Sequence, residues 1–119
     1  MINGVHALIY AEDAEKVRAF FRDVLGFASV DAGQGWLIFA LPPAELGIHP
    51  AEGESRYQLY LMYDDVEATV EELKGKGVRI AQPIRDAGWG LVTAIEMPGD
   101  GQLGLYQARH PTALGMGKG

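Results

Sequence analysis

The second half of this chain restates the first. Asp13-Ala14-Glu15 returns as Asp65-Val66-Glu67, and each opens an apolar stripe at helical spacing. Gly35-Trp36 returns as Gly88-Trp89, Pro42 as Pro98, and Leu46-Gly47-Ile48-His49 as Leu103-Gly104-Leu105-Tyr106, all in the same order. Self-similarity on this scale constrains the architecture more than any composition does, because each copy must fold into the same supersecondary unit. No single match is specific; together, in order and on matching elements, they are.

The unit reads as βαβββ. Residues 5–10 are rich in β-branched and apolar side chains and predict a strand. Asp13 can cap the helix that follows, in which Ala14, Val17, Phe20, Phe21, Val24 and Leu25 form one stripe, and Gly26 ends it. Strands are predicted over 28–31, 36–41 and 46–49, the second broken by Pro42-Pro43 and the third by Pro50. A short polar linker, residues 51–56, joins the halves. The second half has a strand over 57–63 and a helix whose cap is either Asp64 or Asp65, with Val66, Val70 and Leu73 as its stripe. Strands over 78–81, 91–97 and 103–107 follow, with a loop over 82–90. The resulting expectation is one α+β domain over residues 1–119, built from two tandem βαβββ modules, 4–50 and 57–108. Two such units side by side make a curved mixed sheet of eight strands around a central cleft, where a ligand would sit.

Composition narrows the function. The chain carries 10 basic and 16 acidic residues, a net charge of −6, which argues against nucleic acid and anionic membranes as partners. There is no cysteine, so disulfides, thiolate nucleophiles and sulfur metal ligands are excluded. No apolar run approaches a membrane span, and the first residues lack the basic and apolar regions of a signal peptide, so the cytoplasm is the expected compartment. No serine-centred triad, phosphate-binding glycine loop or dinucleotide fingerprint is present; Gly88-Trp89-Gly90 precedes a strand, not a helix.

The strand-Asp-helix-Gly start of each half, the Pro98-Gly99-Asp100-Gly101 turn before the last strand and the doubled order resemble the vicinal oxygen chelate superfamily of glyoxalases, bleomycin-resistance proteins and extradiol dioxygenases. The resemblance covers roughly residues 4–108. It implies the fold; it does not settle the chemistry, since one scaffold hosts many activities. In metal-dependent members of that superfamily a divalent ion is held by His or Gln from the first strands and by Glu from the fourth strands. The matching first-strand positions here are His6 and Gln58. The matching fourth-strand positions are Gly47 and Gly104, which have no side chain to ligate. His and Gln alone make a poor site for Mg²⁺, Mn²⁺ or Fe²⁺ and fall short of a catalytic zinc centre. His49 shares the face of Gly47 but lies about 6–7 Å further along a strand. The expectation is therefore no metal, the alternative being one divalent ion near His6.

Individual residues carry two readings. His6 alternates with Leu8 and Tyr10, and serves either a half-polar core or the cleft; Gln58 has the same choice. The fold favours the cleft for both. Tyr60 and Tyr106 can stack on or hydrogen-bond a ligand, or be satisfied core tyrosines. Met62 is expected to fill the core. Trp36 and Trp89 follow turn glycines and are expected to anchor strands, and His110, beyond the last strand, to lie on the surface. Glu96 faces either the cleft, as a carboxylate of raised pKa, or solvent; the pattern leaves this open.

The function expected from these residues is binding of a small aromatic or amphipathic molecule in a cleft lined by His6, His49, Gln58, Tyr60 and Tyr106, as in the bleomycin-resistance branch, with no catalytic residue assigned. The alternative is a glyoxalase or dioxygenase-type metalloenzyme using His6 and His49. A third reading is a non-catalytic interaction module. A homodimer is expected, because a βαβββ unit leaves a free sheet edge and two-fold pairing is the commonest closed symmetry.

Overall fold

The computed structural model describes residues 6–50, 52–54, 56–99 and 101–114. The first helix, α1, spans Ala14–Ala19, and the Asp13 carboxylate caps it by accepting from the Lys16 amide at 3.1 Å. It runs on into a π-helical turn, Phe20–Val24, closed by the Leu25 amide on the Phe20 carbonyl at 3.1 Å. The wider turn lets two successive residues, Phe20 and Phe21, both be buried. Gly26, at φ 76°, ends it in the left-handed region that glycine adopts at least cost. A two-stranded antiparallel hairpin follows, β1 (Ser29–Asp31) and β2 (Leu37–Phe39). Its turn is tied by the Asp31 carboxylate, which accepts from the amides of Gly33 at 2.7 Å and Gly35 at 3.2 Å.

The second half is the fuller one. It comprises β3 (Tyr60–Met62), α2 (Val66–Gly75), β4 (Ile80–Asp86), β5 (Gly90–Glu96) and β6 (Gln102–Ala108). The four strands form one mixed sheet in the order β3-β6-β5-β4, with β3 parallel to β6 and the other pairs antiparallel. Asp65, not Asp64, caps α2, accepting from the Ala68 amide at 3.1 Å. A second cap arrives from the sheet, since Gln107 Oε1 accepts from the Val66 amide at 2.9 Å.

Both helices pack on the same face of this sheet. Val17, Phe20 and Phe21 from the first half join Val66, Val70, Leu73, Ile95, Leu103 and Leu105 in one core. The first half thus lends its helix to the core of the second.

Four expectations are corrected. Val5 lies outside the described residues, and 6–10 form no strand. Residues 46–49 form none either. A strand persists only where a neighbour completes its hydrogen-bond ladder and a layer covers its apolar face. Neither segment has such a neighbour, and Leu46 and Ile48 are 85% and 87% exposed. Two sheets, of two and four strands, therefore stand where one sheet of eight was expected. Finally, the expected loop over 82–90 is strand as far as Asp86. Pro83, which suggested a break, is tolerated because β4 is the edge strand and its ladder shifts register between Gln82 and Arg85.

Candidate functional site

Strand alternation divides β6 between two faces. Leu103 and Leu105 are buried with the helices, so Gly104 and Tyr106 lie on the opposite face. Register aligns their neighbours: Tyr60 and Ala94 stand opposite Gly104, and Met62 and Val92 opposite Tyr106. Trp89, at the end of the turn that leads into β5, joins them. The Asp86 carboxylate shapes that turn by accepting from the Gly88 amide at 2.8 Å and from Arg109 Nη1 at 2.6 Å. The Gly88 amide, and Arg109 after it, hold this carboxyl below its usual range. The Trp89 carbonyl is itself held by the Arg109 amide at 3.0 Å.

The outcome is an aromatic cluster. Ring centroids of Trp89 and Tyr106 are 5.2 Å apart at 82°, those of Tyr60 and Tyr106 5.7 Å at 69°, and those of Tyr60 and Trp89 6.4 Å at 77°. Edge-to-face packing of this kind sets the positive rim of one ring against the negative face of the next. His49 adds its ring edge-on to Trp89 at 6.0 Å. Beside the cluster lies a solvent-open cavity of about 400 Å³, within the range of small-molecule sites. Tyr60 and Gly104 belong to its wall, together with Gln58, Gln82, Gln102 and Thr93. Among the described residues no charged side chain lines it. Its polar side chains are the amides of Gln58, Gln82 and Gln102, the tyrosines Tyr57 and Tyr60, and Thr93, whose hydroxyl donates to the Gln82 carbonyl at 2.5 Å.

A polar chain edges the cluster. His110 Nδ1 is 2.7 Å from the Pro111 carbonyl, and its Nε2 is hydrogen-bonded to the Tyr106 hydroxyl. Glu45 Oε2 lies 3.8 Å from that nitrogen, and Glu45 Oε1 accepts from the Ala113 amide at 2.7 Å. Burial, and after it the Glu45 charge, push the Tyr106 hydroxyl above its usual pKa.

Of the side chains expected in the cleft, His49, Tyr60 and Tyr106 come together, and Gln58 joins through the cavity wall it shares with Tyr60. His6 is exposed and lines no part of that wall. Trp89 was expected to be an anchor and is the hub of the cluster. His110 was expected at the surface and is partly buried against Tyr106. Glu96 is exposed and pairs with Arg79 at 3.8 Å. Trp36 is 63% exposed, with the Arg18 guanidinium 4.8 Å from its ring centroid.

The donors a divalent ion needs do not converge here. Gly47 and Gly104 contribute no ligand, the His49 ring folds back to 3.8 Å from where a Gly47 Cβ would stand, and the Tyr60 ring covers Gly104. Among the described residues no three His, Asp or Glu side chains gather closely enough to hold a metal.

Residues 5–103 match the sequence model of the glyoxalase/bleomycin resistance protein/dioxygenase superfamily. The chain belongs to that superfamily. Comparison with curated proteins returns no match. Solved structures similar to this superfamily member include TnmS3, an antibiotic-binding protein from Streptomyces sp. CB03234, 25% identical with a TM-score of 0.66 over 90% of this chain and 97% of that one. A superfamily member from Sphaerobacter thermophilus is 24% identical with a TM-score of 0.64, over 89% of this chain and 98% of that one. The fosfomycin resistance protein FosX from Listeria monocytogenes shares the fold at 17% identity and a TM-score of 0.58, over 91% and 95% of the two chains.

Proposed function

We propose that this superfamily member binds a small, neutral, aromatic or amphipathic molecule beside the Tyr60–Trp89–Tyr106 cluster, without a catalytic metal. The observation that carries this reading is that Tyr60 belongs both to the packed aromatic cluster and to the wall of a cavity whose described lining carries glutamine amides, tyrosines and a threonine and no charge. Such a wall offers dispersion, edge-to-face contacts and a few orienting hydrogen bonds, the usual composition of a small-molecule site. Gln58, Tyr60 and Tyr106 are the proposed contacts, and His49 a further one through Trp89; His6 would have to come closer than it lies here to take part. That TnmS3 is an antibiotic-binding protein supports a small-molecule ligand.

The metalloenzyme alternative, with His6 and His49 as ligands, finds less support. His49 packs edge-on against Trp89, and among the described residues no group of three or more His, Cys, Asp or Glu side chains could hold a metal. Elemental analysis of protein purified without chelator decides between the two. The binding reading expects less than 0.1 equivalent (about a background level) of Fe, Mn, Ni or Zn, with thermal stabilisation by small aromatic compounds. A stoichiometric metal removed by His6→Ala would replace it with the alternative.

The matched caps of the two helices, in which Asp13 and Asp65 each accept from the amide three residues on, support the doubled organisation, one domain with modules 4–50 and 57–108. We propose that a second copy completes the first module. The exposed apolar side chains of Leu8, Tyr10, Leu46 and Ile48 favour this, since burying each would contribute about 1.5–3 kcal/mol. Light scattering at micromolar concentration checks it: a mass near 12.9 kDa would mean a monomer. No described helix is long and apolar enough to cross a membrane; the cytoplasm remains the proposed compartment.

A further inference from the structure

Two glycines stand where rings press against the sheet. A Cβ on Gly104 would lie 2.6 Å from Tyr60 Cε1 and 3.1 Å from Tyr60 Cγ, and the three nearest atoms it would meet all belong to that one ring. A Cβ on Gly90 would lie 2.5 Å from Tyr106 Cε2 and 2.8 Å from the Gln107 carbonyl oxygen. Neither glycine needs a left-handed backbone, because both lie in regular strands with φ outside that region. Glycine inside a strand is otherwise costly, as it adds backbone entropy and packs nothing. What it supplies here is room. Tyr60 sits directly opposite Gly104 in the β3–β6 ladder, so its ring settles into the missing side chain. Gly104 and Tyr60 also line the same cavity, so the depth to which the ring settles sets the cavity's width.

We propose that Gly104 is the specificity-determining residue of this site, its missing side chain seating the Tyr60 ring in the cavity wall, and that this ring selects planar aromatic ligands over saturated molecules of equal size. This inference rests on the small-molecule reading above and adds the ligand's shape and the residue that sets it. A larger side chain at 104 would collide with the Tyr60 ring, which must move to make room and so reshape the wall it forms. A planar ligand can lie flat on that ring; a puckered one touches it at a few hydrogens.

A double-mutant cycle and a pair of probes test it. Gly104→Ala is made in the native protein and in Tyr60→Ala, and thermal unfolding is followed for all four forms. The Gly104→Ala penalty should be several degrees in the native background and near zero when the ring is absent. Such coupling is the signature of residues in direct contact. Should Gly104→Ala alone fail to fold, the Tyr60→Ala, Gly104→Ala pair still reports whether the ring is the cause. Calorimetric titration with 2-naphthol and with decahydro-2-naphthol then tests selectivity. The planar probe should bind at least about ten-fold more tightly to the native protein, and Gly104→Ala should weaken it by a similar factor. Equal penalties in both backgrounds, equal affinity for the two probes, or unchanged 2-naphthol affinity in Gly104→Ala would each overturn the proposal. Binding of neither probe to the native protein would overturn the small-molecule reading and the ligand selectivity with it, even where the cycle shows that Gly104 seats Tyr60.

Discussion

The two halves share a sequence plan and differ in how far it is realised. From Tyr60 to Ala108 every strand has a partner, and the middle strands β5 and β6 hold fully buried side chains, Ile95, Leu103 and Leu105 among them. From residue 6 to residue 50 one helix is anchored, yet the sheet is a hairpin of two three-residue strands, and Leu8, Tyr10, Val30, Leu46 and Ile48 face solvent. The difference lies in what surrounds each apolar segment. β6 is paired on both edges and its apolar face joins α2 in the core; residues 46–49 have the same apolar-Gly-apolar pattern but, among the described residues, no strand paired beside them. A repeat in sequence specifies a tendency, and partners decide whether it becomes a strand.

The largest effect that would sharpen this contrast is a matched pair of deletions at repeat-equivalent positions. Leu105→Ala should cost about 2–5 kcal/mol by denaturant unfolding, since it opens a cavity in a fully buried site. Ile48→Ala should cost under about 0.5 kcal/mol in dilute protein, as exposed truncations do. An Ile48→Ala penalty that grows with protein concentration would show that a second copy buries this segment, through mass action. Equal penalties for the two at all concentrations would break the comparison.

The next effect compares the helix caps. Asp65→Ala should cost about 1 kcal/mol, and Gln107→Ala a similar amount, because each leaves an N-terminal amide of α2 without its acceptor. Asp13→Ala removes the matching cap from the six-residue α1, whose Asp13 side chain is half exposed, and should cost less. Amide exchange on the first turn of each helix measures both.

Most of the second module could be read from the residues. The helical stripe of Val66, Val70 and Leu73, the alternation in β5 and β6, and the Pro98-Gly99 turn all agree with what formed. The strands that did not form, at 6–10 and 46–49, have the right local pattern; pairing is a tertiary property that local pattern does not carry. The site was legible where the fold places residues in register, as with Tyr60 and Tyr106. It was not legible for Trp89, which lies in a turn outside the alternation, or for His110 and Glu45, which meet only because the chain beyond β6 returns past residue 45. Gly104 read as a lost ligand, and its role in receiving a ring from another strand required the β3–β6 register.

A smaller effect concerns pH. Burial and the Glu45 charge raise the Tyr106 pKa in the folded protein, and burial raises that of Tyr63. The unfolded chain therefore loses these protons first. Their contribution to stability is fully present below about pH 10, the ordinary tyrosine value, and is lost as pH rises through the higher folded values. Ultraviolet titration should show the Tyr63 and Tyr106 ionisations above about pH 10. In Tyr106→Phe one of the late transitions should disappear; if all tyrosines titrate together near pH 10, the buried environment assigned to Tyr106 is wrong.

The central claim, that the Tyr60–Trp89–Tyr106 cluster holds an organic ligand and no ion, is tested most directly by the indole N–H signals in a proton–nitrogen NMR spectrum. Trp36 and Trp89 each give one, and Trp36→Phe assigns them. Adding 2-naphthol should shift the Trp89 signal and leave Trp36 in place, while equimolar Mn²⁺ should broaden neither. A Trp89 signal unmoved by 2-naphthol and selectively broadened by Mn²⁺ would contradict the account and place a metal where the aromatic site is described.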